Sequence, residues 1–186
     1  LLMEEEQGED LVVRFSQELL RIYAYERLSL AKKRMLHHQI AQGMEDQLGD
    51  SLYHAQLLNE IAYHYKLSKQ PIKSLEYELH YLEATLQFHH ELFPIYSREF
   101  GFIEKTDDSN QSAILDQFDR IRREIEGLER KHQNHKDFQL LVLRFLYLEG
   151  RYAIRTGDYQ QGMDNIQQVI ISAKELQQMD FLLEGY

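Results

Sequence analysis

Apolar residues recur at intervals of three and four along most of this chain, the spacing that places them on one face of an α-helix. The pattern predicts helices over residues 52–67, 71–88, 91–103, 113–133, 137–156 and 159–177. Ser29 is the expected N-cap of an earlier helix whose apolar stripe is Leu36, Ile40 and Met44. Residues 11–15 are rich in β-forming side chains and indicate either a strand or the lead-in to a helix. The predicted fold class is all-α.

Helices joined by short turns raise the question of internal repeats. In residues 146–173, small residues stand at Gly150, Ala153 and Gly162, around a turn with the sequence Gly157-Asp158-Tyr159. This pattern resembles the tetratricopeptide repeat, in which small residues let two antiparallel helices approach and large apolar ones fill the gaps between them. A second copy is recognisable at Leu58, Ala62, Tyr65, Ser74 and Tyr81.

The two copies are degenerate, because Leu58 and Leu146 are 88 residues apart and the repeat is about 34 residues long. We therefore expect longer helices between them, or an insertion in the polar loop at 104–112. The resemblance implies a right-handed superhelix of helical hairpins, an α-solenoid. An ordinary helical bundle is the alternative.

A second resemblance covers the N-terminal part of the chain. It rests on three stretches: Arg-Phe-Ser-Gln-Glu-Leu-Leu-Arg at 14–21, Tyr-Glu-Arg-Leu-Ser at 25–29, and Lys-Arg-Met-Leu-His-His-Gln-Ile-Ala at 33–41. Together they resemble the junction between the nucleotide-binding module and the helical repeats of large bacterial signal-transduction ATPases, including maltose-activator-like regulators and those with a bacterial transcriptional activator domain. Ser16 and Gln17 depart from the histidine and the aspartate or alanine usual there. His37 falls at the family's Leu-His position, where we expect a packing or hydrogen-bonding role.

The resemblance implies how the chain is organised and what it does. Residues 1–49 would be the end of a preceding module with its junction helices, and residues 50–186 the tetratricopeptide-like repeats. The expected function is a protein-, peptide- or effector-binding arm of a bacterial transcriptional regulator or signalling ATPase. No phosphate-binding Gly-x-x-x-x-Gly-Lys-Ser/Thr motif or nucleophile elbow occurs in the sequence, so no enzyme activity and no cofactor are expected.

Two other functions compete with this one. The first is a passive scaffold that self-associates as a homodimer, which apolar residues such as Phe181, Leu182 and Leu183 would favour. The second is a peptide-pheromone-responsive regulator, whose repeats are similar.

Charge and composition narrow the range of partners. The formal net charge is −10, which disfavours general affinity for nucleic acid or anionic membranes. The basic residues Lys32 to Arg34 form too short a run, without interleaved aromatic residues, to indicate direct nucleic-acid binding. The chain has no cysteine and no apolar run of membrane-spanning length, and it is expected to be cytoplasmic.

The predicted binding site is a groove lined by the first helices of the two repeats. Arg144, Tyr147, Arg151 and Arg155 share one helical face, and Gln56, Asn59, Tyr63 and Lys66 occupy the matching face of the other copy. Guanidinium groups bind carboxylates through paired hydrogen bonds, so a carboxylate-bearing peptide or a small anionic effector is the expected ligand. The alternative is a solvated face whose arginines pair with Glu149 and other acids.

Histidines are numerous enough to raise the possibility of a metal site. His132 and His135 share a helical face, but a metal needs three or four convergent ligands, and the sequence supplies no such spacing. No metal is therefore expected.

Overall fold

The computed structural model describes residues 2–7, 10–15, 18–48, 55–86 and 108–178, with side chains described at 18–48, 55–86 and 111–178. Two strands come first, β1 at Leu2–Gln7 and β2 at Asp10–Phe15, paired antiparallel with Leu2 opposite Phe15. The β-forming residues at 11–15 are therefore a strand and not the start of a helix.

Every described element after this hairpin is a helix, which confirms the all-α class for the described ranges 18–48, 55–86 and 108–178. The helices are α1 at Glu18–Glu26, α2 at Leu30–Leu48, α3 at Ala55–Leu67, α4 at Pro71–Leu86, α5 at Asp108–His132, α6 at Lys136–Thr156 and α7 at Tyr159–Leu176. Within the described ranges, no helix is long and apolar enough to cross a membrane. The helix predicted at 91–103 and the apolar residues at 181–183 lie outside the described residues.

The start of α5 differs from the prediction. The sequence indicated a polar loop over 104–112 and a helix from 113, but the helix already begins at Asp108. Polar residues suit the first turn of a helix because its backbone N–H groups have no intrahelical partner. Polarity alone is thus a poor sign of a loop at this place.

Small residues bring paired helices into close contact in both predicted repeats. A Cβ atom added to Gly162 would lie 2.5 Å from Cγ1 of Ile154 and 2.9 Å from the main-chain oxygen of Gly150. In the other pair, Ser74 Oγ donates a hydrogen bond over 3.1 Å to the main-chain oxygen of Ala62. The α3–α4 and α6–α7 hairpins are therefore both closed by backbone approach at the positions that the sequence pattern singled out.

The turns of the two hairpins have the same backbone form. Gly157 follows α6 with a positive φ of 94°, and the next residue, Asp158, donates its N–H to the main-chain oxygen of Ala153 over 2.9 Å. Lys69 follows α3 with φ 63°, in the same left-handed conformation. Lys69 and Gly157 are 88 residues apart, as are Leu58 and Leu146. The helix ends of the two hairpins therefore correspond at the same offset as the repeat positions.

Two apolar cores follow from this packing. The larger lies among α4, α5, α6 and α7, with Leu79, Ile121, Phe138 and Leu148 at its centre. The smaller lies between α2 and α3 and contains Ala41, Leu48, Leu58, Ile61 and Tyr65. Helix α1 buries none of its own residues. It forms an exposed wall beside the smaller core.

The close approach of α6 and α7 predicts opposite effects for two Gly→Ala substitutions. Gly162→Ala is expected to lower the free energy of unfolding by about 1–3 kcal/mol, because the new methyl group would overlap Ile154 and the backbone of α6. Gly127→Ala in α5, where a Cβ atom would meet nothing within 4 Å, is expected to raise it by about 0.5–1 kcal/mol. Urea denaturation of both variants measures the difference, and equal effects would contradict the close contact.

Candidate functional site

Two of the predicted groove residues on α6 contact α4. Arg144 forms an ion pair with Glu83, and its Nη1 donates to Nε2 of His80 over 3.1 Å. Arg155 Nη1 donates over 2.7 Å to the main-chain oxygen of Leu86, the last residue of α4. A carbonyl at a helix C-terminus has no intrahelical partner and bears partial negative charge, so a guanidinium group suits it well. These two arginines therefore link α6 to α4.

The other two α6 residues contact each other. Arg151 Nη1 donates to the Tyr147 hydroxyl over 3.1 Å, and its guanidinium carbon lies 5.5 Å from the centre of the tyrosine ring. Tyr147 is only 5% exposed, because its ring belongs to the larger core. Most of its surface is therefore used in packing the helices together.

The predicted groove residues of α3 lie in different surroundings. Asn59 is exposed, whereas the ring of Tyr63 meets the edge of the His37 ring on α2 at 6.3 Å between centroids. Lys66 Nζ donates to Glu124 of α5 over 2.7 Å. Arg144 and Arg155 thus face α4, Tyr63 faces α2, and Lys66 joins α3 to α5. An anion-binding groove built from all of them stays a prediction.

Lys66 also belongs to a charge cluster around a buried carboxylate. Glu78 of α4 is 5% exposed and lies 3.4 Å from Lys66 Nζ and 3.7 Å from a guanidinium nitrogen of Arg120. Burial raises the pKa of the Glu78 carboxyl, and the nearby charge of Glu124 raises that pKa further. Two acids and two bases meet here, which indicates a link between helices and not a ligand site.

A cavity of about 580 Å³ lies between α1, α2 and α3, and we call it the α1–α3 pocket. Its volume is within the range usual for small-molecule sites in proteins. Its lining residues are Arg21, Ala24, Tyr25, Leu28, Leu36, His37, Ile40, Tyr63 and His64.

A chain of hydrogen bonds crosses the wall of this pocket. The hydroxyl of Tyr25 lies 2.8 Å from Nε2 of His37, and Nδ1 of His37 lies 2.7 Å from Nδ1 of His64. We call these three side chains the Tyr–His–His chain. It joins α1 to α2 and α2 to α3. The pocket therefore combines apolar walls with one group of convergent polar side chains, as small-molecule sites commonly do.

The short distance between the two imidazoles requires a shared hydrogen. One Nδ1 must donate and the other must accept, so at least one of the two rings is neutral. Burial lowers the pKa of His37. Burial also lowers the pKa of His64, as does the charge of His37, whereas Glu60 acts in the opposite direction. Both imidazoles are therefore expected to be uncharged at neutral pH.

The sequence predicted a role for one residue of this pocket, His37, but not the pocket itself. The hydrogen bonds of His37 agree with the role expected of it from the family resemblance. Leu36 and Ile40 were assigned to the apolar stripe of α2, but the residues of α2 that are buried are His37, Ala41 and Leu48. Met44 of the predicted stripe packs against the smaller core and Ile40 is half-buried, whereas Leu36, on the pocket side of α2, is exposed.

Tyr25 and His64 had no signal in the sequence that would have joined them to His37. They lie 12 and 27 residues from it along the chain, so only the packing of three helices brings them together. The other described histidines, at 38, 80, 132 and 135, form no such chain. Within the described ranges, no group of three or more histidine and acidic side chains is arranged to hold a metal ion.

Comparisons with known proteins add no relative to this description. No protein family model, curated protein or solved structure matches the chain.

The lowered histidine pKa values predict a pH dependence of stability. A histidine whose pKa is lower in the folded state than in the unfolded state binds more protons when unfolded, so its contribution to stability is lost as the pH falls through about 6.5. We expect the free energy of unfolding to fall between about pH 7.5 and about pH 5.5, and His64→Gln to fall less steeply. Urea denaturation across this range measures both slopes.

Two features of the chain serve as controls for this measurement. The raised pKa of Glu78 has the opposite effect, because protonation of this carboxyl stabilises the fold as the pH falls. The slopes of the variants are therefore compared with one another, and the wild-type curve is not interpreted alone. His135→Gln, which changes an exposed histidine outside the Tyr–His–His chain, is the matched variant with which the His64→Gln slope is compared. A His64→Gln curve parallel to that of wild type would show that the His37–His64 contact is not sensitive to protonation.

Proposed function

We propose that this chain is the effector-binding helical-repeat arm of a bacterial transcriptional regulator or signalling ATPase, and that the effector occupies the α1–α3 pocket. The observation that supports this most is the pocket itself, which has apolar walls, the hydrogen-bonded side chains of Tyr25, His37 and His64, and Arg21 in its lining. A site of this size and composition is suited to a small molecule or to one side chain of a peptide.

We further propose that the hairpins belong to a superhelix of tetratricopeptide type. Three matches between the α3–α4 and α6–α7 hairpins support this at one constant offset of 88 residues: Ala62 with Gly150, Lys69 with Gly157, and Ser74 with Gly162. A bundle of unrelated helices has no reason to repeat its small residues and its helix end at one spacing.

The position of the pocket suggests how binding would be transmitted. A ligand there contacts α1 and α2, which the family resemblance assigns to the junction, and α3, the first helix of the repeats. Binding would favour the arrangement of these helices in which the pocket is best formed, and the preceding module would respond to that change in population.

The face of α6 supports a second and independent hypothesis, binding of a carboxylate-bearing peptide by Arg151 and its neighbours. Arg151→Glu is expected to abolish binding of such a peptide if the predicted groove is used. The same variant is expected to leave ligand binding in the α1–α3 pocket unchanged. Titration of both ligand types into one variant therefore separates the two sites.

The rival function, self-association as a homodimer, has one observation in its favour. Leu19, Ile22, Tyr23, Leu30 and Met35 are large apolar residues of α1 and α2 with exposures of 45–77%. Contiguous exposed apolar surface often marks an interface, and these residues lie on two consecutive helices. Light scattering over a range of concentrations tests it, and a stable dimer whose Leu30→Glu variant is monomeric would favour the scaffold.

Filling the α1–α3 pocket tests the proposed site. Leu36→Trp places a larger side chain at the mouth of the pocket and is expected to reduce binding of the neutral apolar dye Nile red at least about tenfold. Leu115→Trp in α5 changes another exposed leucine, outside the pocket lining, and should bind the dye as wild type does. Fluorescence titration measures both variants.

Two results would contradict the proposal. The first is dye binding that Leu36→Trp and Leu115→Trp affect equally, since the dye would then be reporting general apolar surface. The second is the absence of saturable binding in the wild-type chain, since a formed apolar pocket of this volume should accept the dye.

A further inference from the structure

We infer that the ligand of the α1–α3 pocket is an apolar carboxylate, held at its charged end by Arg21 and along its hydrocarbon or aryl body by Leu36 and Ile40. This inference rests on the proposed function, because it names the class of effector that the same pocket would take. It differs from the predicted groove on α6 in both the site and the residues.

The charged guanidinium group of Arg21 favours an anionic ligand. Arginine is always charged near neutral pH and its guanidinium group has donors only, so a ligand atom beside it must be an acceptor. A carboxylate fits that requirement best because its two oxygens can accept two parallel N–H bonds. A cationic ligand in the same pocket would be repelled, and an unsubstituted hydrocarbon would leave the charge of Arg21 unused.

The Tyr–His–His chain is compatible with the same ligand. If the Tyr25 hydroxyl donates to His37 Nε2, then His37 Nδ1 donates to His64 Nδ1, and the hydrogen of the His64 ring is on Nε2. His64 then presents a second donor among the residues that line the pocket. An acceptor on the ligand selects this order of hydrogen bonds without adding or removing a proton.

Arg21 can bind a ligand only if its existing contact with Glu18 can be exchanged. Arg21 Nη2 lies 3.1 Å from Oε1 of Glu18, one turn earlier on α1. The two side chains are 61% and 75% exposed, and ion pairs as exposed as this contribute little to stability. A ligand carboxylate at the pocket can therefore replace Glu18 as the partner of Arg21 at small cost.

A second cation, Lys33, lies beside Tyr25 but is not a lining residue of the pocket. Lys33 Nζ lies 4.6 Å from the centre of the Tyr25 ring, and its side chain is only 19% exposed. Glu26 accepts a hydrogen bond from it over 2.9 Å, and this carboxylate is 66% exposed and well solvated. The acids Glu18 and Glu26 are thus each paired with a base, and neither is a lining residue of the pocket.

The test compares phenylbutyrate with its neutral amide, phenylbutyramide, by isothermal titration into the whole chain at about pH 7.5. The two ligands have nearly the same shape and differ in charge. The acid is expected to bind about threefold more tightly than the amide, since an arginine as exposed as Arg21 adds little to a charged contact. Arg21→Gln should remove this preference, and Arg27→Gln, which changes an arginine of the same region that stacks on Tyr23, should retain it.

Glu18→Gln gives an independent check. Removing the competing carboxylate should tighten binding of the acid by about twofold to fivefold and leave binding of the amide unchanged.

The outcomes separate this inference from the proposed function. Equal affinity for acid and amide would overturn the carboxylate class, and a preference for the acid that survives Arg21→Gln would overturn the role of Arg21. In either case the pocket would still stand if Leu36→Trp displaces both ligands. Failure of both ligands to bind at millimolar concentration overturns the inference as well. Only the additional loss of saturable Nile red binding would overturn the pocket itself.

Discussion

The 2.8 Å hydrogen bond between the Tyr25 hydroxyl and Nε2 of His37 is one of the few contacts that hold α1 in place, because α1 buries none of its own side chains. A helix of nine residues is not stable in isolation, so contacts with its neighbours must hold it in place. Those described between α1 and α2 are the bond to His37, the ion pair of Glu26 with Lys33, and Lys33 over the ring of Tyr25. The outer wall of the pocket is therefore attached by few interactions, and elements of low local stability are the ones that usually move when a ligand binds.

Helix α2 has a different role, since it is shared between the pocket and the core. His37 faces the pocket, whereas Ala41 and Leu48, one turn and three turns further along, lie in the apolar cluster with α3. Close-packed interiors resist continuous deformation, so a shift of α2 at the pocket end has to be taken up by the α2–α3 contact as a whole. The sequence-based boundary at residue 49 falls between two helices that share this core. A signal from the pocket would not need a separate linker in order to reach the repeats.

The parts of the fold that were predictable from the sequence are those that depend on local or short-range constraints. Gly157 marked a helix end because only glycine adopts a positive φ cheaply, and Gly150 and Gly162 marked a close approach because they lack a Cβ atom. Lys69 adopts the same positive φ without that signal. The pocket was not predictable, since the Tyr–His–His chain depends on three helices meeting, and helical spacing places residues on a face without saying what covers it.

Helical spacing also does not show what an arginine contacts. A guanidinium group on a helix face can serve either as a ligand site or as a link between helices. Arg144 has its acidic partner 61 residues away on α4, so an external anion that displaced Glu83 would also break a contact between two helices. Arg21 has its acidic partner three residues away on the same helix, and exchanging that partner leaves every contact between helices in place. The spacing of the α6 arginines in the sequence was what predicted a binding face there. The location of each partner is the better guide to which arginine can exchange it for a ligand, and it favours Arg21.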